Sequence, residues 1–320
     1  MWQSKNKIGG DFQKRMYGLA RRCEEWNIGL VYEPISVFLE TRTRRIIHWL
    51  PTPKAGTYIA DPFALIRNGR IHILCEQFDY RTSKGRIVCI EINEQGLPSE
   101  PKVAIDLPVH VSYPYILERE GEIYCIPETA EAREIALYKA EEFPVEWTRL
   151  KPLVDNFPGL DVTVFEYEKR WWLSCTAWEG RSSHRLFVWH ASDLLGPWKP
   201  HAANPVKTDI RSSRPAGTPF LHSGCLYRPA QDCSRTYGGR IVLNRVVRLT
   251  PTEFKEEQAA VVEPYPDGPY PDGLHTLSSL GNITVLDGKR FVKFRRLFSF
   301  LQASTGILRP CRFPRHGAAP

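Results

Sequence analysis

Apolar and polar positions alternate along most of this chain in short runs, and tight-turn dipeptides separate the runs. The clearest case lies between Ile59 and Glu76, where Asn68-Gly69 joins two strongly apolar segments. That dipeptide between such segments predicts a β-hairpin. Asp61 and Glu76 then fall at the same end of the hairpin. The unit recurs: Tyr113 to Glu128 repeats it, with Tyr113 in the column of Asp61 and Glu128 in that of Glu76. A third copy runs from Asp161 to Thr176, and a fourth, with a shorter hairpin, from Gly217 to Arg228. A fifth and weaker copy starts at His275 and reads as turning at Asp287-Gly288.

The strand starts at 61, 113, 161, 218 and 275 are separated by 52, 48, 57 and 57 residues. Periods of about 40–50 residues built from short strands are the pattern of propeller blades. Further strand-like runs follow four of the copies, at 85–92, 134–138, 185–190 and 239–247. The last copy has little chain after it. The runs 28–38 and 46–50 can supply its outer strands and so close the ring. A β-sandwich rich in hairpins is the alternative, but it predicts no self-similarity at this period. The expected fold is therefore all-β, a five-bladed β-propeller over 26–294. Apolar residues at helical spacing (Phe12, Met16, Leu19, Ala20, Cys23) predict a helix over Asp11–Trp26, hence a short helical arm over 1–25. The basic, proline-containing segment 295–320 loses the strand pattern and is expected to be a disordered tail.

Composition narrows the function classes. With 320 residues, the chain is long enough for one large all-β domain. The net charge of +7 fits an anionic partner or simply a solvated surface. Lys and Arg are scattered except at 42–45 and 289–315, without a stripe of interleaved aromatics, which argues against nucleic acid. Of the eight cysteines, Cys75, Cys125, Cys175 and Cys225 recur on the second strands of successive copies, where they read as small buried hydrophobes. The spacing contains no zinc motif, phosphate loop or Gly-x-Ser-x-Gly elbow, so no metal or cofactor is expected. The lack of a leader-like or membrane-length apolar run gives the expectation of a reduced, cytoplasmic protein.

In a propeller the inner strand of every blade starts at the same mouth of the central channel. That rule gathers Asp61, Tyr113, Asp161, the Arg214–Thr218 segment and His275, with Glu76, Glu128, Thr176 and Gln231 from the second strands and Arg228 and Asp232 beside them. Convergent carboxyls with a His and an Arg suit acid–base work on a sugar, one activating an oxygen nucleophile and another protonating the leaving oxygen. Tyr113, Trp178 and Tyr237 are candidate stacking faces. Each residue also has a plain structural reading: Asp61 and Asp161 as turn caps, Glu128 as a partner of Arg133, and Arg228 and Asp232 as partners of each other.

The motifs Ala60-Asp61-Pro62-Phe63, Ser112-Tyr113-Pro114, Pro127-Glu128-Thr129, Asp161-Val162-Thr163, Arg214-Pro215-Ala216-Gly217 and Leu274-His275-Thr276 carry a resemblance. In this order they resemble the five-bladed propeller glycosidases of the family 43 type. More closely, they resemble the N-terminal domain of plant glucosamine inositolphosphorylceramide transferases and their bacterial homologues. The resemblance implies Asp61 as general base and Asp161 as modulator of the acid. Family 43 enzymes carry the general acid, a Glu, on the fourth blade, and this chain has Arg214 there. Either Glu128 or Glu76 has taken that role, or a sugar pocket persists without hydrolysis. The Arg would suit a sugar phosphate or uronate. Two functions stay open: carboxylate chemistry on a sugar, sugar phosphate or glycan intermediate, and a non-catalytic glycan-binding or scaffold domain that assists a glycosyltransferase partner.

Overall fold

The computed structural model describes residues 22–40, 43–179 and 182–293, and the expected basic tail and most of the expected N-terminal helix lie outside them. The described residues form five antiparallel sheets arranged as the blades of a propeller. Blade one is Thr57–Arg67, Arg70–Asp79, Lys84–Ile92 and Lys102–Ile105. Blade two is Ser112–Arg119, Glu122–Glu128, Glu134–Glu142 and Glu146–Asp155. Blade three is Gly159–Tyr167, Arg170–Ala177 and Arg185–Ala191, edged by Lys199–Pro200 and Lys207–Thr208. Blade four is Phe220–His222, Cys225–Asp232, Arg240–Leu249 and Phe254–Val262.

Blade five closes the ring as the pattern predicted. Its inner hairpin, Leu277–Leu280 and Ile283–Lys293, is completed by Arg22–Val31 and His48–Trp49 from the start of the chain. Ten consecutive residue pairs, Arg22↔Lys293 to Val31↔Thr284, join the two ends. This pairing overturns part of the helix expected over Asp11–Trp26, because Arg22 to Trp26 are strand. The helical spacing there competes with a free sheet edge, and the edge offers a full ladder of backbone hydrogen bonds. A second correction concerns the fifth turn. It sits at Gly281-Asn282, and Asp287-Gly288 lies inside the second strand.

The strands read as nearly continuous apolar runs because both faces of each blade are buried. Along Arg70–Asp79, Ile73 and Cys75 pack with Ile28, Leu30 and Val285 of blade five, while Leu74 packs with Cys125 and Ala136 of blade two. Successive side chains point to opposite faces of a strand, so neighbours in sequence serve different blade interfaces. Cys75, Cys125 and Cys175 are all fully buried in these interfaces.

Each of the first three inner strands carries a bulge at the channel mouth. Pairing slips between Ala60 and Phe63, Ser112 and Tyr115, and Leu160 and Thr163. The residues inside the slips, Asp61, Tyr113 and Asp161, have φ of 55°, 42° and 52°. Positive φ at a non-glycine residue is uncommon and costs energy, so three at one structural position mark a built feature. Blade four uses Gly217 there, with φ 114°. A Cβ on Gly217 would lie 2.0 Å from the Leu277 carbonyl oxygen, where the blade-four entry pairs with blade five. Gly217→Ala is expected to lower stability by at least about 2 kcal/mol through this overlap. The check is the denaturant midpoint, and an unchanged value would mean that the blade interface yields freely.

Candidate functional site

The bulges turn backbone N–H groups into the channel, and carboxylates of other strands accept them. Asp61 donates its N–H to Asp287 Oδ2 at 3.1 Å, and Tyr113 donates to Asp61 Oδ2 at 3.3 Å. Asp161 donates to Glu128 Oε2 at 2.8 Å, and Gly217 donates to the Tyr113 hydroxyl at 2.7 Å. These bonds link blades one to five, two to one, three to two and four to two. Asp287 Oδ1 also accepts the N–H groups of His275 and Thr276.

Around this frame the mouth is densely charged. Arg214 donates through Nε to Asp161 Oδ2 at 2.5 Å and through an amino group to Asp161 Oδ1 at 3.1 Å. Gln231 Nε2 donates to the same Oδ2 at 2.6 Å and to the Pro215 carbonyl at 3.0 Å. His275 Nδ1 lies 2.5 Å from Asp287 Oδ2, and its Nε2 lies 3.5 Å from Asp61 Oδ1. The Thr276 hydroxyl donates to Asp61 Oδ1 at 3.0 Å. Glu76 lies 3.4 Å from His110 Nε2, and its Oε1 has no hydrogen-bond partner among the described residues.

Five buried carboxyls share this space with Arg214, His275 and, beside Glu76, His110, and burial among like charges favours the protonated form of a carboxyl. Burial, reinforced by Asp161, pushes Glu128 up to about 8 from 4.5. Burial, with Asp161 and Asp287 adding to it, raises Asp61 to about 6 from 3.8, although His275 and Thr276 pull the other way. Glu76 is raised well above its ordinary value by burial and by Asp61 and Glu128. Burial opposes charge on His275, but Asp287 and Asp61 outweigh it and raise the imidazole to about 9. It is an imidazolium clamp between two carboxylates. Asp61, His275 and Asp287 bring ligand atoms within 4.8 Å of one another, so they are the residues that could hold a cation. An ion would have to displace the His275 proton that now faces Asp287.

Aromatic rings cover one side of the cluster. Trp26 stacks on His275 at 4.0 Å, and Tyr237 meets His275 edge-on at 5.3 Å. The Arg214 guanidinium lies 5.0 Å from the centre of the Tyr237 ring. Buried Lys289 donates to the Tyr237 carbonyl and the Thr236 hydroxyl and pairs with Glu24 at 3.2 Å, which fixes this loop over the mouth.

The geometry sorts the expected residues. Asp61, Glu76, Glu128, Asp161, Arg214 and His275 come together, each of them buried. Tyr113 is fully buried against Phe63, with its hydroxyl bonded to Thr163 and Gly217, so it offers no open stacking face. Arg228 is turned away, bonded to Glu256 and to the Ser212 carbonyl, and Asp232 pairs with Arg240. These two are not partners of each other. Glu128 is not held by Arg133, which bonds Asn156 and Glu179. Trp178 is half exposed. Asp287 was missed because Asp-Gly reads as a turn. Its place in the second-strand column of Glu76 and Glu128 was the available signal.

The comparisons with known proteins agree with this architecture. Residues 51–265 match the family model described as glucosamine inositolphosphorylceramide transferase 1, N-terminal. The chain is 35% identical over 215 residues to glucosamine inositolphosphorylceramide transferase 1 of Oryza sativa subsp. japonica, covering 64% of this chain and 29% of that protein. It is 31% identical over 255 residues to the protein of that name from Arabidopsis thaliana, covering 72% of this chain and 33% of the relative. The chain therefore spans about a third of the length of these relatives. Among solved structures, it is similar to the family 117 glycoside hydrolase Zg3597 of Zobellia galactanivorans. The TM-score is 0.51 at 15% identity, over 73% of this chain and 85% of that one. The family 43 β-xylosidase/α-arabinofuranosidase CoXyl43, from a compost metagenome, matches with a TM-score of 0.51 at 14% identity, over 75% and 92%. These likenesses carry the propeller fold alone, and the sequence match carries the family: the chain belongs to the glucosamine inositolphosphorylceramide transferase 1 N-terminal family.

Proposed function

We propose that the channel mouth recognises a sugar of a glycan or glycolipid intermediate, and that Asp61 and Glu128 perform acid–base chemistry on it in the service of glycosyl transfer. The observation that carries this reading is the convergence of two buried carboxyls with different proton affinities at one mouth of a glycosidase-like propeller. Asp61 keeps a large ionised fraction at neutral pH and can accept a proton from water or an acceptor hydroxyl. Glu128 is largely protonated and can donate to a leaving oxygen. Asp161, paired with Arg214, is the strongest influence on Glu128 after burial and so modulates it. The relatives are named for glucosamine and for inositolphosphorylceramide, which makes an amino sugar or an inositol-bearing glycolipid the substrate class. The relatives are named transferases and are about three times the length of the matched part, which supports a glycosyltransferase as the partner.

A second reading, binding without turnover, is favoured by one observation. The fourth blade offers Arg214 where the family 43 pattern has its acid, and that arginine is committed to Asp161.

Asp61→Asn and Glu128→Gln are each expected to cut turnover of aryl glycosides, sugar phosphates or sugar nucleotides by about 100-fold or more, with the circular dichroism spectrum unchanged. Wild-type activity in Asp61→Asn would remove the base assignment. Sugar binding without turnover, weakened in the same variant, would establish the second reading.

The same ionisation sets a pH dependence. The folded-state values of Asp61 (about 6 against 3.8), Glu128 (about 8 against 4.5) and His275 (about 9 against 6.5) all lie above the ordinary ones. The folded state therefore binds more protons, and stability from these groups is lost as pH rises from about 4 to 9: from 3.8 to about 6 for Asp61, from 4.5 to about 8 for Glu128 and from 6.5 to about 9 for His275. The melting temperature is expected to fall across that range and to fall less steeply in Glu128→Gln. Identical slopes in the two proteins would show that Glu128 does not carry the shift.

A further inference from the structure

The mouth end of blade one carries a cavity of about 430 Å³, walled by the loop before its inner strand, the turn at 80–83 and the end of its outer strand. Four cations line it, Lys54, Arg81, Lys84 and Arg86, against two carboxylates, Asp79 and Asp106. Both carboxylates are already committed. Arg81 holds Asp79 through Nε at 3.1 Å and an amino nitrogen at 2.6 Å, and Lys84 Nζ lies 2.7 Å from Asp106 Oδ1. Arg86 donates its Nε and one amino nitrogen to the neutral Gln77 Oε1, at 3.1 and 2.8 Å, and comes no closer than 3.9 Å to Asp106. Lys54 has no ion pair among the described residues. Arg86 and Lys54 thus leave the cavity with two uncompensated positive charges.

A ligand can reach these groups. The Arg86 side chain is 43% exposed, and Lys54 is exposed as well. Gln77 adds an uncharged donor of fixed direction. An amide whose oxygen accepts from Arg86 turns its NH2 the other way, and Gln77 Nε2 has no acceptor among the described residues. The cavity also begins where the acid cluster ends. Gln77 follows Glu76 directly in the strand, and Gly85, which lines the cavity, backs onto the Glu76 carboxyl: a Cβ there would lie 2.4 Å from Glu76 Oε1.

We propose that this cavity holds a phosphoryl group of the substrate whose sugar enters the mouth, with Arg86, Lys54 and Gln77 Nε2 as its donors. The proposal rests on the reading of the mouth as a sugar site. Charge names the occupant: a phosphate brings negative charge and several acceptor oxygens to a guanidinium, an ammonium and an amide. An uncharged sugar would leave the two charges unanswered, and a cation would be repelled. The space is concave and the size of a small-molecule site, which suits one phosphate ester rather than a flat anionic surface. Inside the mouth Arg214 is bound to Asp161, so the rim holds the cations that are open to an anion. The phosphodiester of an inositol lipid headgroup and the diphosphate of a sugar nucleotide share this chemistry.

The test is calorimetric titration of the full chain at low ionic strength with inorganic phosphate, glycerophosphoinositol and UDP-N-acetylglucosamine. Saturable binding is expected, weakened about tenfold in Arg86→Gln and in Lys54→Gln, as for one lost charge-assisted hydrogen bond. Arg248→Gln, which removes an exposed arginine paired with Glu253 on blade four, is expected to leave it unchanged. Tighter binding of glycerophosphoinositol identifies the lipid headgroup and tighter binding of the sugar nucleotide the diphosphate, and either supports the site. No saturable binding of any of the three would overturn it, as would equal affinities in the wild type, Arg86→Gln and Lys54→Gln. Inorganic phosphate binding is expected to survive Asp61→Asn, and its loss there would assign the anion to the mouth instead. Phosphate binding that falls in Arg86→Gln, with no sugar compound turned over by the wild type, would keep this site and remove the catalytic reading of the mouth.

Discussion

A peptide N–H turned into a closed channel has to find an acceptor, and this propeller supplies those acceptors from the side chains of other blades. The bulges at Asp61, Tyr113 and Asp161 create the donors, and Asp287, Asp61 and Glu128 accept them. Each bond crosses a blade boundary, so the mouth is sewn together by its own acids. The hydrophobic interfaces hold the blades face to face. The carboxylates fix their relative height at the mouth. A buried donor left without its acceptor would cost about 1–3 kcal/mol, so these acids are not free to be lost.

That double duty explains the ionisation pattern. A carboxyl can accept a backbone N–H while protonated on its other oxygen, so Glu128 can clasp Asp161 and still carry a proton. Asp61 is held by the Tyr113 N–H and the Thr276 hydroxyl and faces an imidazolium, all of which favour its charged form. The two acids differ because their neighbours differ.

The five-fold architecture was legible because buried strands, tight turns and a fixed period leave a direct trace in sequence. The column of residues at the mouth followed from the same period, which brought Asp61, Glu128, Asp161, Arg214 and His275 together on paper. What escaped was set by contacts that have no local signal. Asp287 was hidden by an Asp-Gly pair that sits in a strand, where the ladder with Arg22–Val31 overrides its turn preference. Trp26 and Lys289 join the mouth only because the ring closes through the first strand. Arg228 looked like a mouth residue by position, but Glu256, buried two strands away in the same blade, draws it away. Strand alternation sets which face a side chain serves, and the partner waiting there decides its role.

Arg214 shows how far the charge balance constrains what the mouth can bind. Asp161 is buried, and both its oxygens are taken by Arg214 and Gln231. Breaking such a pair from one side costs about 3–5 kcal/mol, because the remaining charge stays buried. The expectation that Arg214 would hold a phosphate or uronate therefore meets a competitor already in place. An anionic group could take the guanidinium only by stranding Asp161 among Glu128, Asp61 and Glu76. On the proposed sugar-binding function, the inner mouth accordingly favours an uncharged ring bound through hydroxyl and amide groups.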